Sequence, residues 1–309
     1  MIQVTKQPLR ISLAGGSTDL QEYLNKYGEG AVVSFTPNLY TYIIMKKSSD
    51  EYYKIVYSNV EKVLTPQDIK NDIAREVLSY FDMPPVEVIF TADIPSSGSG
   101  LASSSSYMVN MIKACLQFTK RSMSALEVGK LAIKLERKFN PLTGYQDAWG
   151  CLLSGFKLMV FDKNGFAKHS PYSRRLFDWY DFYLVPTGVT RSSTNVLETI
   201  DCDKVHVMAA TTIEMDDALQ TSHYSRVAKL ISRGWIQKKL TSPSIINEEI
   251  SKLEDEFTNT KGIVTWRLIG AGAGGYFLVL TEKDTYLQCK HIKIDLHDES
   301  HRYNSTQYE

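Results

Sequence analysis

Cysteine is scarce in this chain. Four occur in 309 residues, at Cys115, Cys151, Cys202 and Cys289. No two form a CxxC and none stands at zinc spacing from a histidine, which excludes a disulfide framework and a structural zinc site. They read as buried or incidental thiols in a reducing compartment, and the expected location is cytoplasmic. Long apolar runs are also missing, and no stretch approaches the roughly 20 residues of a membrane span. The opening MIQVTKQPLRISLAGG has no charged segment followed by a long apolar one, so no secretory signal is expected. An excess of one charge is absent too, since Lys+Arg and Asp+Glu both number 35. That balance excludes a global electrostatic footprint for nucleic acid or a membrane surface.

What is present is an ordinary globular composition, 43% hydrophobic and 23% charged. The length favours two domains, and composition shifts from strand-rich to helix-rich near residues 165–190. The expected division is 1–170 and 171–309. Strands are expected in LRISLAG, LYTYIIMKK, EYYKIVYS, VEVIF, GFKLMVFD, FAKHSP and WYDFYLVPTG. The spacing predicts a helix over 68–81 and another carrying Met108, Met111, Ile112, Cys115 and Leu116 on one face. A third begins at SALE, where Ser124 and Glu127 form a capping box ahead of Val128, Leu131, Ala132, Leu135 and Phe139. Pro141 and Gly144 then break it into a loop. Residues 192–260 read as helical, 264–282 as two strand-like runs around a glycine tract, and the end as a short helix and strand before a frayed polar tail.

The most informative stretch is DIPSSGSGLASSSSYMVNM, strand to glycine-serine loop to helix start. A helix start leaves N–H groups unpaired and carries partial positive charge, and glycines let a ligand approach the backbone. This order makes a phosphate cradle. No Lys follows Gly100, so it is not a Walker A loop, and no HRD or DFG is present to suggest a protein kinase. GAGAGG (270–275) matches G-x-G-x-x-G formally, but a strand follows it, which excludes a dinucleotide site.

Three segments taken in order resemble the GHMP small-molecule kinases. PSSGSGLASSSS (95–106) resembles the family's P-x-x-x-G-L-x-S-S motif. PLRISLAGGSTDL (8–20) resembles its N-terminal signature, and LIGAGAGGYFLVL (268–280) its C-terminal glycine motif. GGSTD and TGVTRSSTNVLE (187–198) look most like the D-glycero-D-manno-heptose 7-phosphate kinase branch. The resemblance implies an α+β fold: an N-terminal mixed α/β domain, like domain 2 of ribosomal protein S5, and a ferredoxin-like C-terminal α+β domain. It also implies ATP and Mg²⁺ as cofactors. On this likeness Pro95, Gly98, Ser99, Gly100, Leu101, Ala102, Ser103 and Ser104 bind the ATP phosphates. Ser104, with Ser103 one register away, and Glu136 hold the metal. Asp147 is the active-site carboxylate, acting as base or orienting group. Arg10, Gly15, Gly16, Ser17, Thr18, Asp19, Asp147 and Arg191 bind substrate. Gly270, Gly272, Gly274 and Gly275 close the site from the other domain.

Residue chemistry alone leaves plainer readings open. Asp19 also suits an ordinary turn, Arg10 a buried ion pair, Glu136 a solvated helix end, Asp147 an N-cap and Arg191 a solvated loop. The partner implied is a small sugar or sugar phosphate, with no nucleic acid or membrane, and a homodimer stays open. The preferred reaction is phosphorylation of the anomeric C1 hydroxyl of a heptose 7-phosphate. A fucose or other hexose 1-kinase, or a non-catalytic sugar and ATP sensor, is the alternative.

Overall fold

A computed structural model describes residues 2–95, 98–189, 201–270 and 272–297. The described part is built on three sheets. The first has the order β1-β4-β7-β5-β6, made of β1 (Ile2–Pro8), β4 (Tyr40–Lys47), β5 (Tyr53–Val56), β6 (Val60–Val63) and β7 (Val86–Ala92). Neighbours are antiparallel except β5 and β7. The second, β2-β3-β8-β9, is antiparallel: β2 (Ile11–Ala14), β3 (Glu29–Phe35), β8 (Phe156–Asp162) and β9 (Gly165–Pro171). The third, β11-β12-β10-β13, joins β10 (Asp181–Pro186), β11 (Ile263–Leu268), β12 (Tyr276–Thr281) and β13 (Ile292–Ile294), also antiparallel.

The helices lie against these sheets. They are α1 (Gln21–Tyr27), α2 (Asp72–Tyr80), α3 (Ser103–Thr119), α4 (Ala125–Glu136), α5 (Gln146–Leu152), α6 (Arg175–Trp179), α7 (Cys202–Gln220), α8 (Tyr224–Lys239) and α9 (Glu248–Asn259). Helix α3 packs on β1 and β4 and touches α2, α4 and α5. Its expected apolar face is buried in the first core, but the opposite side is covered as well. Asn110, for example, is buried and donates to the Thr41 carbonyl at 2.9 Å. A second core joins the middle sheet to the third. Phe35 and Phe156 there meet Phe177 and Phe182 across the two halves of the chain. The two halves therefore share apolar surface in this core.

The capping box of α4 forms as expected: the Glu127 amide donates to Ser124 Oγ, and the Ser124 amide donates to Glu127. Three expectations need correction. Residues 146–152 are helical, so Asp147 stands on α5 and not in a loop. The closing helix is absent among the described residues, where the segment after β12 runs irregularly into β13. Strands β1 and β3 were not foreseen. The four cysteines are free, three of them buried, and no helix of the described residues is long and apolar enough to cross a membrane.

Candidate functional site

The glycine-serine loop enters α3 through Ala102, a non-glycine residue at φ +61° with no side-chain cap. A left-handed alanine is strained by roughly a kcal/mol. It turns the chain so that the first amides of α3 are presented without a side-chain partner. The loop is packed from behind by the C-terminal glycine tract. Gly100 and Gly270 meet so closely that a Cβ on Gly270 would lie 2.5 Å from the Gly100 Cα. A Cβ on Gly275 would lie 2.6 Å from the Ser99 carbonyl oxygen. Gly274 abuts the Val189 carbonyl and Gly272 the Ile245 side chain. Residues 96–97 and Ala271 lie outside the described residues.

The serines divide by direction. Ser103 Oγ is buried against Ser99 Oγ at 3.0 Å, turned into the loop. Ser105 Oγ is buried and donates to Glu136 Oε2 at 2.6 Å. Ser104 is exposed, and its hydroxyl is near enough to Glu136 to favour the ionised carboxyl. Glu136, the last residue of α4, is itself buried. Burial raises its carboxyl to about 7, although the Ser105 and Ser104 hydroxyls work against the rise. Ser105 is thus a member of the site that the motif register did not assign.

Asp147 is held by Arg10. Arg10 is 4% exposed and Asp147 34%. Arg10 Nη1 also donates to the Gly100 carbonyl at 3.0 Å, and its amide to that of Leu101 at 3.2 Å. Burial is the largest single influence and works against the guanidinium cation, but the charge and hydrogen bonds of Asp147, with Cys151 and Asp19, together outweigh it and raise the Arg10 pKa. Arg10 was expected to bind substrate; here it is a strut between β2, α5 and the loop.

Asp19 is fully buried. Its Oδ2 accepts from the Gln146 amide at 2.9 Å and its Oδ1 from Gln146 Nε2 at 2.8 Å. Burial raises it to about 6. Gly144 leaves the space for this, since a Cβ there would lie 2.2 Å from Asp19 Oδ2. The carboxylate expected to face a sugar therefore caps the start of α5. Thr18 Oγ1 donates to the carbonyls of Gly15 and Ala31. Gly15, at φ +82°, leaves no room for a Cβ beside Ala31. Ser17 also takes a positive φ, and Gly16 faces the Gln146 amide. Pro95 precedes the loop as an exposed residue. Arg191 lies outside the described residues.

Sequence reasoning missed two more cations. Lys238 of α8 is buried and donates to the Gly270 carbonyl. Arg267 of β11 is buried and donates to the Leu13 carbonyl, while its Nε has no partner. Burial pushes Lys238 well below its usual range and Arg267 down to about 10, and each also feels Arg10. The alternation of β11 held the signal for Arg267, because buried Thr265 sets its inward face. Among the described residues no three His, Cys, Asp or Glu side chains cluster to hold a metal alone. A cation here would take its protein ligands from Glu136 and a first-turn hydroxyl of α3, as suits Mg²⁺ shared with phosphates.

An amide-lined helix start beside a buried acid and an arginine-oriented carboxylate defines a small-molecule phosphotransferase. The N-terminal domain profile of the GHMP kinases matches residues 68–155. A D-glycero-alpha-D-manno-heptose 7-phosphate kinase of Campylobacter jejuni is 27% identical over 90% of this chain and 89% of its own length. A solved D-glycero-D-manno-heptose 1-phosphate kinase of Bacteroides thetaiotaomicron superposes with a TM-score of 0.76, at 22% identity, over 96% of this chain and 97% of that one. Streptococcus pneumoniae phosphomevalonate kinase, solved with phosphomevalonate and AMPPNP, superposes at 0.73 and 15% identity, over 91% of this chain and 92% of that one. Residues 68–155 thus match a GHMP kinase N-terminal domain, and the chain has the α+β fold of these solved kinases.

Proposed function

We propose that this chain is an ATP- and Mg²⁺-dependent sugar kinase that phosphorylates the anomeric C1 hydroxyl of a sugar phosphate, D-glycero-D-manno-heptose 7-phosphate being the preferred substrate. The two lobes are taken as 1–170 and 171–309, with the site between them. The reading is carried by Asp147, fixed by Arg10, together with the start of α3, which has no side-chain cap among the described residues. When bound, ATP supplies the transferable phosphoryl group and Mg²⁺ offsets the charge on its phosphates. The α3 amides and the Gly98–Ala102 backbone hold the anionic tail. Ser104 and Glu136 face the metal. Asp147 Oδ2, on which neither Arg10 bond falls, accepts or orients the attacking hydroxyl. Phosphoryl transfer depends mainly on such positioning and on charge stabilisation.

Two further observations support a phosphorylated substrate. Arg10, Lys238 and Arg267 are buried around the loop and the glycine tract with Asp147 as the direct carboxylate partner. Arg267, lowered to about 10 and so still cationic near neutral pH, has no carboxylate partner among the described residues, which favours an anion nearby. The likeness to the Campylobacter jejuni kinase also runs through nearly the whole chain. The test is ATP consumption with Mg²⁺ across heptose 7-phosphate, fucose, galactose and mannose. Turnover is expected with the heptose phosphate. Turnover on an unphosphorylated hexose alone would replace the substrate. Sugar-induced thermal stabilisation with no turnover on any of them would favour a sensor.

A further inference from the structure

A cavity of about 400 Å³ opens on the side of α5 turned away from Asp147. Lys130, Lys134 and Arg137 of α4, Tyr145 and Trp149 of the α5 segment, and Phe166 of β9 line it. Tyr145 and Trp149 are four residues apart and share one helix face. Asp147 lies two residues from each, about 200° round the axis. The cavity and the Arg10–Asp147 pair thus occupy opposite sides of one short helix.

The aromatic floor is specifically accommodated. Trp149 stacks on Phe166 with ring centroids 4.1 Å apart. Gly129, in the middle of α4, makes room for it, since a Cβ there would fall 2.5 Å from the indole. Glycine inside a helix costs about 1 kcal/mol relative to alanine, so helix propensity is given up to seat this ring. Gly165 does the same beneath Tyr145, at φ +113° and with a Cβ position 2.9 Å from the ring.

Over the floor stand three cations at spacings of four and three, one stripe along α4 with neighbouring Cβ atoms about 5–6 Å apart. Arg137 is fixed in place. Its Nε donates to the Thr143 carbonyl at 3.1 Å, and its guanidinium sits 4.4 Å above the Tyr145 ring centre. Lys138, one residue on, pairs with Glu76. By contrast, Lys130, Lys134 and Arg137 have no carboxylate within ion-pair distance among the described residues. A solvated lysine face would normally explain unpaired lysines. Here they rim a concave, aromatic-floored cavity of ligand size. Three cations in one stripe suit a multiply charged anion better than a single carboxylate. Phe166, half-buried above the buried Trp149, is the part of the floor that offers contact to a flat ring.

We propose that this cavity is a second ligand site, separate from the catalytic cleft, for a ring-bearing polyanion of the nucleoside diphosphate class. It is tested by titration calorimetry on the full chain with Mg²⁺ and one equivalent of AMPPNP, enough to fill the catalytic site and leave a second site free. GDP is the probe, and pyrophosphate and guanosine are its two halves. One GDP is expected per chain, bound about tenfold or more tighter than either half. Lys130→Glu with Lys134→Glu should weaken GDP by about tenfold or more with the melting temperature unchanged. Phe166→Ala should weaken GDP and leave pyrophosphate unaffected. No GDP binding, equal affinity for pyrophosphate, or a double variant that binds GDP like the native chain overturns the proposal.

Discussion

Arg10 spends two donors on one oxygen of Asp147: Nε at 2.9 Å and Nη2 at 2.5 Å, both to Oδ1. The carboxylate is thereby fixed in rotation, with Oδ2 left without an Arg10 contact. This geometry separates two substitutions. Asp147→Asn keeps an acceptor for Arg10 but loses the charge, so kcat should fall about 10²–10⁴-fold while AMPPNP affinity holds. Arg10→Lys cannot make the forked contact or reach the Gly100 carbonyl at the same time. It should lower both kcat and stability. Steady-state kinetics and nucleotide titration check both, and an Asp147→Asn variant with near-native kcat would remove Asp147 from the chemistry.

The contact between Gly100 and Gly270 ties the phosphate loop to the other half of the chain. Gly270→Ala would put a methyl 2.5 Å from the Gly100 Cα at φ +74°. The backbones must separate, so the KM for ATP should rise and stability fall by about 2 kcal/mol or more. Gly28→Ala is the control: its φ is +85° with nothing within 4 Å of the added Cβ. Conformational strain alone should cost it about 1 kcal/mol, with KM unchanged. Equal effects on ATP KM in the two variants would contradict a role for the packed pair.

Local signals in the sequence were legible, and contacts between distant segments were not. The α4 capping box is written within four residues. The start of α3 follows from a glycine-serine run meeting a helical apolar pattern. Helix α5 was hidden because its cap comes from Asp19, 127 residues earlier in the chain, onto the Gln146 amide. Pro141 and Gly144 before it read as a break. Gly144 instead clears space for that same carboxylate. Strand β1 alternates weakly, with Ile2 and Val4 exposed. Its pairing with β4 decides its state. The serine register likewise depends on how α3 is rotated against Glu136.

Those serines can be told apart experimentally. Ser104 is exposed beside Glu136, whereas Ser105 is buried and donates to it at 2.6 Å. Ser104→Ala should raise the Mg²⁺ concentration needed for half-maximal activity with little change in stability. Ser105→Ala leaves a buried carboxyl without its donor and should cost about 1–3 kcal/mol. Urea midpoints and Mg²⁺ titrations of kcat separate the two. If Ser105→Ala alone shifts the Mg²⁺ requirement, the metal-facing hydroxyl is Ser105.

Buried acids give the ligand-free chain a defined pH response. Burial lifts Glu136 from 4.5 to about 7 and Asp19 from 3.8 to about 6. Between the two values of each group the folded chain binds more protons than the unfolded one. Their contribution to stability is therefore complete below the ordinary values and is lost as pH rises through about 6 and then 7. Lys157, buried and lowered from 10.5 to about 7, acts only above that window, where it makes stability rise with pH. Urea midpoints should fall between pH 5 and pH 7, and Glu136→Gln should flatten much of that slope. A variant with the native slope would mean that Glu136 is already ionised at the lower pH.

Asp19 poses the sharpest question at the site, because its present partners leave it no free side. Both oxygens accept from Gln146, and the side chain is buried beneath Gly144. A purely structural cap predicts that Asp19→Asn loses stability by about 1–3 kcal/mol, since the charged acceptor is lost and the Gln146 carboxamide must turn to present Oε1 to the new Nδ2. It also predicts no separate change in sugar KM. A carboxylate that swings to the sugar predicts more: Gln146→Ala, which frees Oδ1 but keeps the backbone bond to Oδ2, should alter sugar KM while kcat and ATP KM hold. We expect the second pattern, with Asp19→Asn raising sugar KM about tenfold or more. Sugar KM measured for both variants beside their urea midpoints decides it. Stability loss with native sugar KM in both would leave Asp19 as the cap of α5 and move sugar recognition elsewhere in the cleft.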